Sequence, residues 1–181
     1  MRKSINIDEY YLRQTEAVDE LFSKITGFDT LQVVSSKRYH NTADVNNEMI
    51  LRMISKNTDS LEHLQILGTD TTEAMLTVVF ATCNCLISLQ LYNCYKFTNE
   101  SYVEFSNISN TLHTLSILHS SSIHTSSILL IMVNFRSLVR LNVTSCESVD
   151  LSAVRAHRDT HSTDLDLKLI RCVTNVSGFA K

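Results

Sequence analysis

Leu86, Leu112 and Leu138 stand at equal intervals along the chain. Leu61 precedes Leu86 by one position less than that interval, and Asp164 falls one full interval beyond Leu138. Each position opens the same phrase. From Leu86 it reads L-I-S-L-Q-L-Y-N-C, and from Leu138 it reads L-V-R-L-N-V-T-S-C. The step is about 26 residues, and self-similarity at roughly 20–50 residues marks stacked copies of one supersecondary unit. One copy cannot bury its apolar side alone, so neighbours must supply a continuous core. The period therefore predicts a solenoid and favours a binding surface over an enzyme pocket.

Within one period, Leu89 and Leu91 alternate with Ser88 and Gln90, the pattern of a strand buried on one face. The chain turns at Cys94, Phe97 points inward, and Thr98-Asn99-Glu100 supplies cap candidates for a helix. Val103, Phe105 and Ile108 would line that helix's inner face, with Val78 and Phe80, and Leu129 and Ile131, in matching places. Asp70-Thr71-Thr72-Glu73 has capping-box spacing before a helix over 74–81. About six such coils predict an α/β right-handed solenoid. Its parallel strands would line a concave side and its helices a convex side, making a horseshoe.

A column of small residues, Thr69, Cys94, Ser120, Cys146 and Cys172, closes the phrases. Turn backbone groups need partners, and hydroxyl and thiol side chains fit there as small donors. A thiolate metal site is the rival reading, but Thr69 and Ser120 interrupt the column. Five cysteines at repeat-related positions do not make a disulfide framework.

The chain reads as one domain. Residues 60–172 form the regular coils, and 1–59 form degenerate ones. Strand candidates there are Thr30–Val34, whose Leu31 stands before Leu61 by a step longer than the regular one, and a weak one near Ile5–Ile7. Helices are expected over Glu16–Lys24, with Val18, Leu21, Phe22 and Ile25 apolar, and over Asp44–Lys56, with Val45, Met49 and Met53 along one side. Residues 173–181 read as an uncapped tail, which suggests a piece of a longer solenoid. No proline and only three glycines occur, so turns fall to Asn, Asp, Ser and Thr.

A net charge of −3 with scattered Lys and Arg predicts neither a nucleic-acid face nor a membrane patch. The longest apolar run, Ile128–Val133, is far short of a span. No signal peptide is read in residues 1–25, and the expected compartment is cytoplasmic or nuclear. His157 and His161 stand at i, i+4, but Arg158 occupies the place where a zinc-protease helix needs Glu. Cys83 and Cys85 are too close for zinc-ligand spacing and lack a second pair. No phosphate-binding glycine loop or nucleophile elbow is present. The expectation is a non-enzyme without metal or cofactor.

The stretch from Cys83 to Val103 resembles a cysteine-containing leucine-rich repeat. That pattern runs roughly C-x-x-L-x-x-L-x-L-x-x-C-x-x-I-T-D-x-x-L. Cys83, Leu86, Leu89, Leu91, Cys94, Phe97, Thr98 and Asn99 match it in register. Leu138, Leu141, Val143, Cys146 and Val149 match it in a later coil, and the resemblance covers about residues 30–172. These repeats are similar to those of F-box/LRR proteins, the substrate receptors of cullin-based ubiquitin ligases. The resemblance implies a concave sheet that recruits a protein. An F-box is expected only outside this chain, since its early Leu-Pro pair has no counterpart here, and binding to the ligase adaptor would need it. The alternative is a leucine-rich-repeat scaffold or regulator unrelated to ubiquitin, of GTPase-activating or immune-sensor type.

Strand positions between the core leucines would face a protein partner. The candidates are His63, Ser88 and Arg140 in one column, with Thr114 and Asp166 between and beyond them. Gln65, Gln90, Ser116, Asn142 and Lys168 form the next, and Leu67, Tyr92, Leu118, Thr144 and Ile170 a third that is mostly apolar. The third column is either an interaction stripe or a set of side chains that cover one another. Tyr92 and Arg140 are the preferred anchors.

Overall fold

The computed structural model describes residues 3–8, 24–34, 50–67, 73–93, 100–101, 111–161, 164–170 and 172. Among these residues, seven strands make one open parallel sheet: β1 (Ser4–Asp8), β2 (Thr30–Val34), β3 (His63–Leu67), β4 (Ser88–Tyr92), β5 (Thr114–Leu118), β6 (Arg140–Thr144) and β7 (Asp166–Ile170). Sheet order is chain order. Parallel neighbours need a crossover between them. The helices α1 (Glu73–Thr82), α2 (Thr125–Asn134) and α3 (Leu151–His161) fill three of these crossovers, and residues 50–55 are helical in another.

The strands form where polar and apolar residues alternate. Leu31, Val33, Leu64, Ile66, Leu89, Leu91, Leu115, Ile117, Leu141 and Val143 all point into one core. A slip of one residue would turn each pair out to solvent, so burial sets the register. The backbone adds its own lock before each strand. The Glu62 carbonyl accepts the N–H groups of Ile87 (2.8 Å) and Ser88 (3.0 Å). Ile87 does the same for His113 and Thr114, and His113 for Val139 and Arg140. Asp29 and Lys3 repeat the arrangement toward the N-terminal end.

This register corrects the spacing read for the first coils. Leu31 pairs with Leu64, not with Leu61. Phe28, 1% exposed, stands two residues before its strand, as Leu61, Leu86 and Leu112 do. An aromatic ring fills the slot where the phrase calls for a leucine, and a pattern of leucines passes over it. The weak strand near Ile5 is β1, in register with β2.

Helix faces also differ from expectation. Val78 is 41% exposed rather than inward. The buried residues of α1 are Met75, Leu76, Val79 and Phe80, and those of α2 are Ser127, Ile128, Ile131 and Met132. At 3.6 residues per turn these four places form one stripe, and Val78 lies on the opposite side. Matching Val78 to Val103 by the repeat step misassigned it, because residues at i, i+2 do not share a helix face. Leu129, matched to Val78, is only half-buried for the same reason. In α3 the inner stripe carries Ala153, Val154, His157 and Arg158, and only Val154 is fully buried. Asp150 caps this helix through Oδ1, which accepts the Ser152 (2.8 Å) and Ala153 (3.3 Å) N–H groups.

The leucine slot fails at the last coil. Asp164, exposed, replaces a leucine there. Leu138 is consequently only partly buried, and a cavity of about 290 Å³ opens among Met132, Phe135, Leu138 and Leu165, with Arg136 and Asp164 at its wall. Elsewhere buried polar contacts tie coils together. Asn57, 2% exposed, donates from Nδ2 to the Met53 carbonyl (2.8 Å) and accepts the Gly27 N–H at Oδ1 (2.8 Å).

Several expectations lie outside the described residues. They concern Thr69, Cys94, Phe97, Thr98, Asn99, Val103, Phe105 and Ile108, the capping residues 70–72, positions Val18, Leu21, Phe22, Val45 and Met49, and the tail 173–181. Met53, from the second of those helices, is buried beside Ile50 and Ile54.

Candidate functional site

Parallel pairing sorts the candidate residues into three columns on the sheet face away from the helices. His63, Ser88, Thr114, Arg140 and Asp166 are successive partners. Gln65, Gln90, Ser116, Asn142 and Lys168 form the second column. Leu67, Tyr92, Leu118, Thr144 and Ile170 form the third. From β3 to β6 they alternate with buried core residues, and on β7 with the partly buried Leu167 and Leu169, so the period-2 reading of these strands put them on a common face.

The sheet also brings in residues that the spacing did not point to. Thr30, Gln32 and Val34 extend the three columns onto β2, and Ser4 and Asn6 extend the first two onto β1. The signal was present in Thr30–Val34, whose alternation matches the later strands; the misplaced spacing hid its register. The central column thus reads Asn6, Gln32, Gln65, Gln90, Ser116, Asn142, Lys168. Carboxamides dominate it, and each offers both a donor and an acceptor.

The first column is polar and partly self-engaged. Arg140 Nε donates to Asp166 Oδ2 at 2.8 Å across β6 and β7, with both side chains more than half exposed. An exposed pair of this kind contributes at most about 1 kcal/mol, so a competing carboxylate can displace it. In the second column Asn142 Nδ2 donates to Ser116 Oγ at 3.0 Å, which covers Ser116.

The third column is apolar and uneven. Tyr92 and Ile170 are 39% and 40% exposed, while Val34, Leu67, Leu118 and Thr144 are half-buried. The Tyr92 ring lies 4.9 Å from the His119 ring, tilted by 45°. His119 owes this position to its backbone. Asn93, His119 and Ser145 each follow a strand with positive φ (57°, 53° and 54°). Each also prolongs the ladder, with N–H groups 2.8 Å from the carbonyls of Leu118, Thr144 and Ile170. Left-handed geometry is costly for residues with a Cβ; its recurrence at one place in three coils marks it as a fixed part of the turn.

The small-residue column lies directly beyond that turn. Cys146 Sγ donates to the Thr144 carbonyl at 3.5 Å and to the Ile117 carbonyl of the preceding coil at 3.8 Å. Cys172 repeats this with Ile170 and Val143, both at 3.7 Å. Ser120 Oγ reaches the Leu118 carbonyl at 3.5 Å. Burial pushes the Cys146 thiol up to about 11, against the opposing pull of the Ser120 backbone N–H. A thiol held protonated is a poor nucleophile and a poor metal ligand. Its place is structural, supporting the edge of the sheet face.

The other sequence features do not converge on the face. His157 and His161 stack on α3 with ring centroids 4.0 Å apart. Burial, then the neighbouring His161, lowers the His157 pKa below its usual value. Among the described residues, no three His, Cys, Asp or Glu side chains gather in a way that could hold a metal. No described helix is long and apolar enough to cross a membrane.

Comparison of this chain with protein-family models and with curated proteins finds no match.

Proposed function

We propose that the chain is a protein-recognition module of the leucine-rich-repeat class, binding its partner across the open sheet face. In this reading the sheet is the concave side of a right-handed horseshoe. The observation that carries it is the apolar third column, with Tyr92 and Ile170 in solvent beside a column of carboxamides. Apolar surface rimmed by polar groups is the usual composition of an interface centre. Between neighbouring strands the backbone is spent in the ladder, so recognition across the face would fall to side chains.

The finer proposal is that this module serves as the substrate-binding region of an F-box-type ubiquitin-ligase receptor. Its support is the cysteine-containing repeat phrase of Cys83–Val103 and its echo from Leu138. Adaptor binding would then belong to a segment outside this chain.

Photo-crosslinking in cells tests both levels. A crosslinker at Gln90 should capture a protein that one at Leu130, on the outer side of α2, does not. The captured protein should be degraded faster when the module is abundant and its ligase is active. Equal capture from both positions would reject the sheet face as the site. Capture only at Gln90 with no change in the captured protein's lifetime would reject the ubiquitin role and leave an interaction scaffold.

A further inference from the structure

We infer that the segment recognised on this face is an amphipathic α-helix, laid across the strands with its C-terminal end over β7. The inference rests on the recognition reading above and adds the partner's shape, direction and charge.

The first argument is spacing. Successive members of the third column are one strand apart, about 4.8 Å. From Tyr92 to Ile170 is three such steps, about 14 Å. A helix presents side chains on one face each turn, about 5.4 Å, so three turns drift by only about 2 Å from the column. An extended chain repeats a face about every 6.8 Å and drifts by about 6 Å over the same steps. A helix keeps anchors against Tyr92, Leu118 and Ile170 together; an extended chain loses register after one.

The second argument is backbone satisfaction. A helix arrives with its N–H and C=O groups already paired, whereas an extended segment would press unpaired groups against Leu67, Leu118 and Ile170. The carboxamides of Gln65, Gln90 and Asn142 could answer some of those groups. They repeat at the strand spacing, however, and meet the same mismatch.

The third argument is charge. From β2 to β5 the open-face positions carry no Lys, Arg, Asp or Glu. At β6 and β7, Arg140 is paired with Asp166, and Lys168 has no partner among the described residues. A helix C-terminus carries a partial negative charge of about half a unit, and a last-turn carboxylate adds to it. Placing that end over the exposed Lys168 brings opposite charges together. Such a helix would be uncharged along its flanks and, to run from β2 to β7, about 16 residues long.

The test selects binders to the whole chain from two displayed peptide libraries, each member about 16 residues long. One has apolar residues spaced i, i+3, i+4, i+7 on a helical template with a C-terminal acidic residue. The other has the same composition in strict alternation. Binders should come from the helical library and gain helicity on binding. Tyr92→Ala should weaken them about tenfold, the loss typical of an aromatic anchor. Lys168→Glu should weaken them about threefold, and a peptide with its acidic residue moved to the N-terminus should not show that loss. Circular dichroism of both variants must match the parent. Enrichment from the alternating library, with binding still lost on Tyr92→Ala, would overturn the helix and keep the face. Binders indifferent to Tyr92→Ala, or none from either library, would overturn both.

Discussion

Asp164→Leu should stabilise the protein, because the last coil lacks the leucine that its neighbours place in the core. Leu61, Leu86 and Leu112 are 0% exposed in that slot, while Leu138, next to Asp164, is only partly buried. The cavity of about 290 Å³ beside it has room for a leucine side chain without forcing its neighbours apart. Full burial of a leucine contributes about 1.5–3 kcal/mol. The cavity is open to solvent on one side, so about half that range, roughly 0.8–1.5 kcal/mol, is expected. With a urea slope of about 2 kcal/mol/M, the midpoint should rise by roughly 0.4–0.8 M. Two truncations calibrate the reasoning. Leu112→Ala removes a fully buried side chain and should cost about 2–5 kcal/mol, whereas Leu138→Ala should cost about half as much. Urea unfolding followed by circular dichroism measures all three. Equal losses for the two truncations, or no gain from Asp164→Leu at an unchanged slope, would refute the account of the cavity. A changed slope would instead report separate unfolding of the last coil, which stacked repeats permit.

Asn57→Leu should destabilise by about 1–3 kcal/mol, because it removes the partner of the Gly27 N–H and strands the buried Met53 carbonyl; thermal unfolding reads the loss. Exposed Cys85 should react with a thiol reagent at about pH 8 well before Cys146, whose thiol is raised to about 11 and is buried. Mass spectrometry of the labelled chain would contradict this if Cys146 were modified before unfolding. His157 has a folded pKa below its unfolded value, so the native state binds fewer protons. Its contribution to stability is then present above about pH 6.5 and lost as pH falls through the folded pKa. The protection of α3 amides relative to their intrinsic exchange should fall on acidification, and His161→Ala should move the His157 titration upward by NMR. An unmoved titration would remove His161 as a cause.

Much of the sheet is legible in spacing, because strand burial obeys a period of two and stacking repeats that alternation once per coil. The open-face positions of β3 to β7 follow from that arithmetic. Phe28 does not, since a pattern of leucines passes over a ring that fills the same space. Val78 is misplaced by the same arithmetic, because two apolar residues at i, i+2 suit a strand while a helix sorts them to different sides. His119 is invisible as a neighbour of Tyr92, since only the left-handed turn brings their rings together. Asp150, just before a helical run, is a legible cap signal that the leucine period does not draw out.

The repeating unit was written into the chain locally: which residues alternate, where each strand lies, and that neighbours must stack to bury their leucines. Those properties come from side-chain period and apolar content. The register of the first coils, the single sheet running to β1, and the pairing of Arg140 with Asp166 emerged only on folding. So did the cavity beside Asp164 and the exposure of Tyr92 where Leu118 is half-buried. These depend on which side chain lies one strand away, and that neighbour is about 26 positions distant along the chain. Packing and pairing across that distance, rather than the residues' own preferences, set the shape of the face.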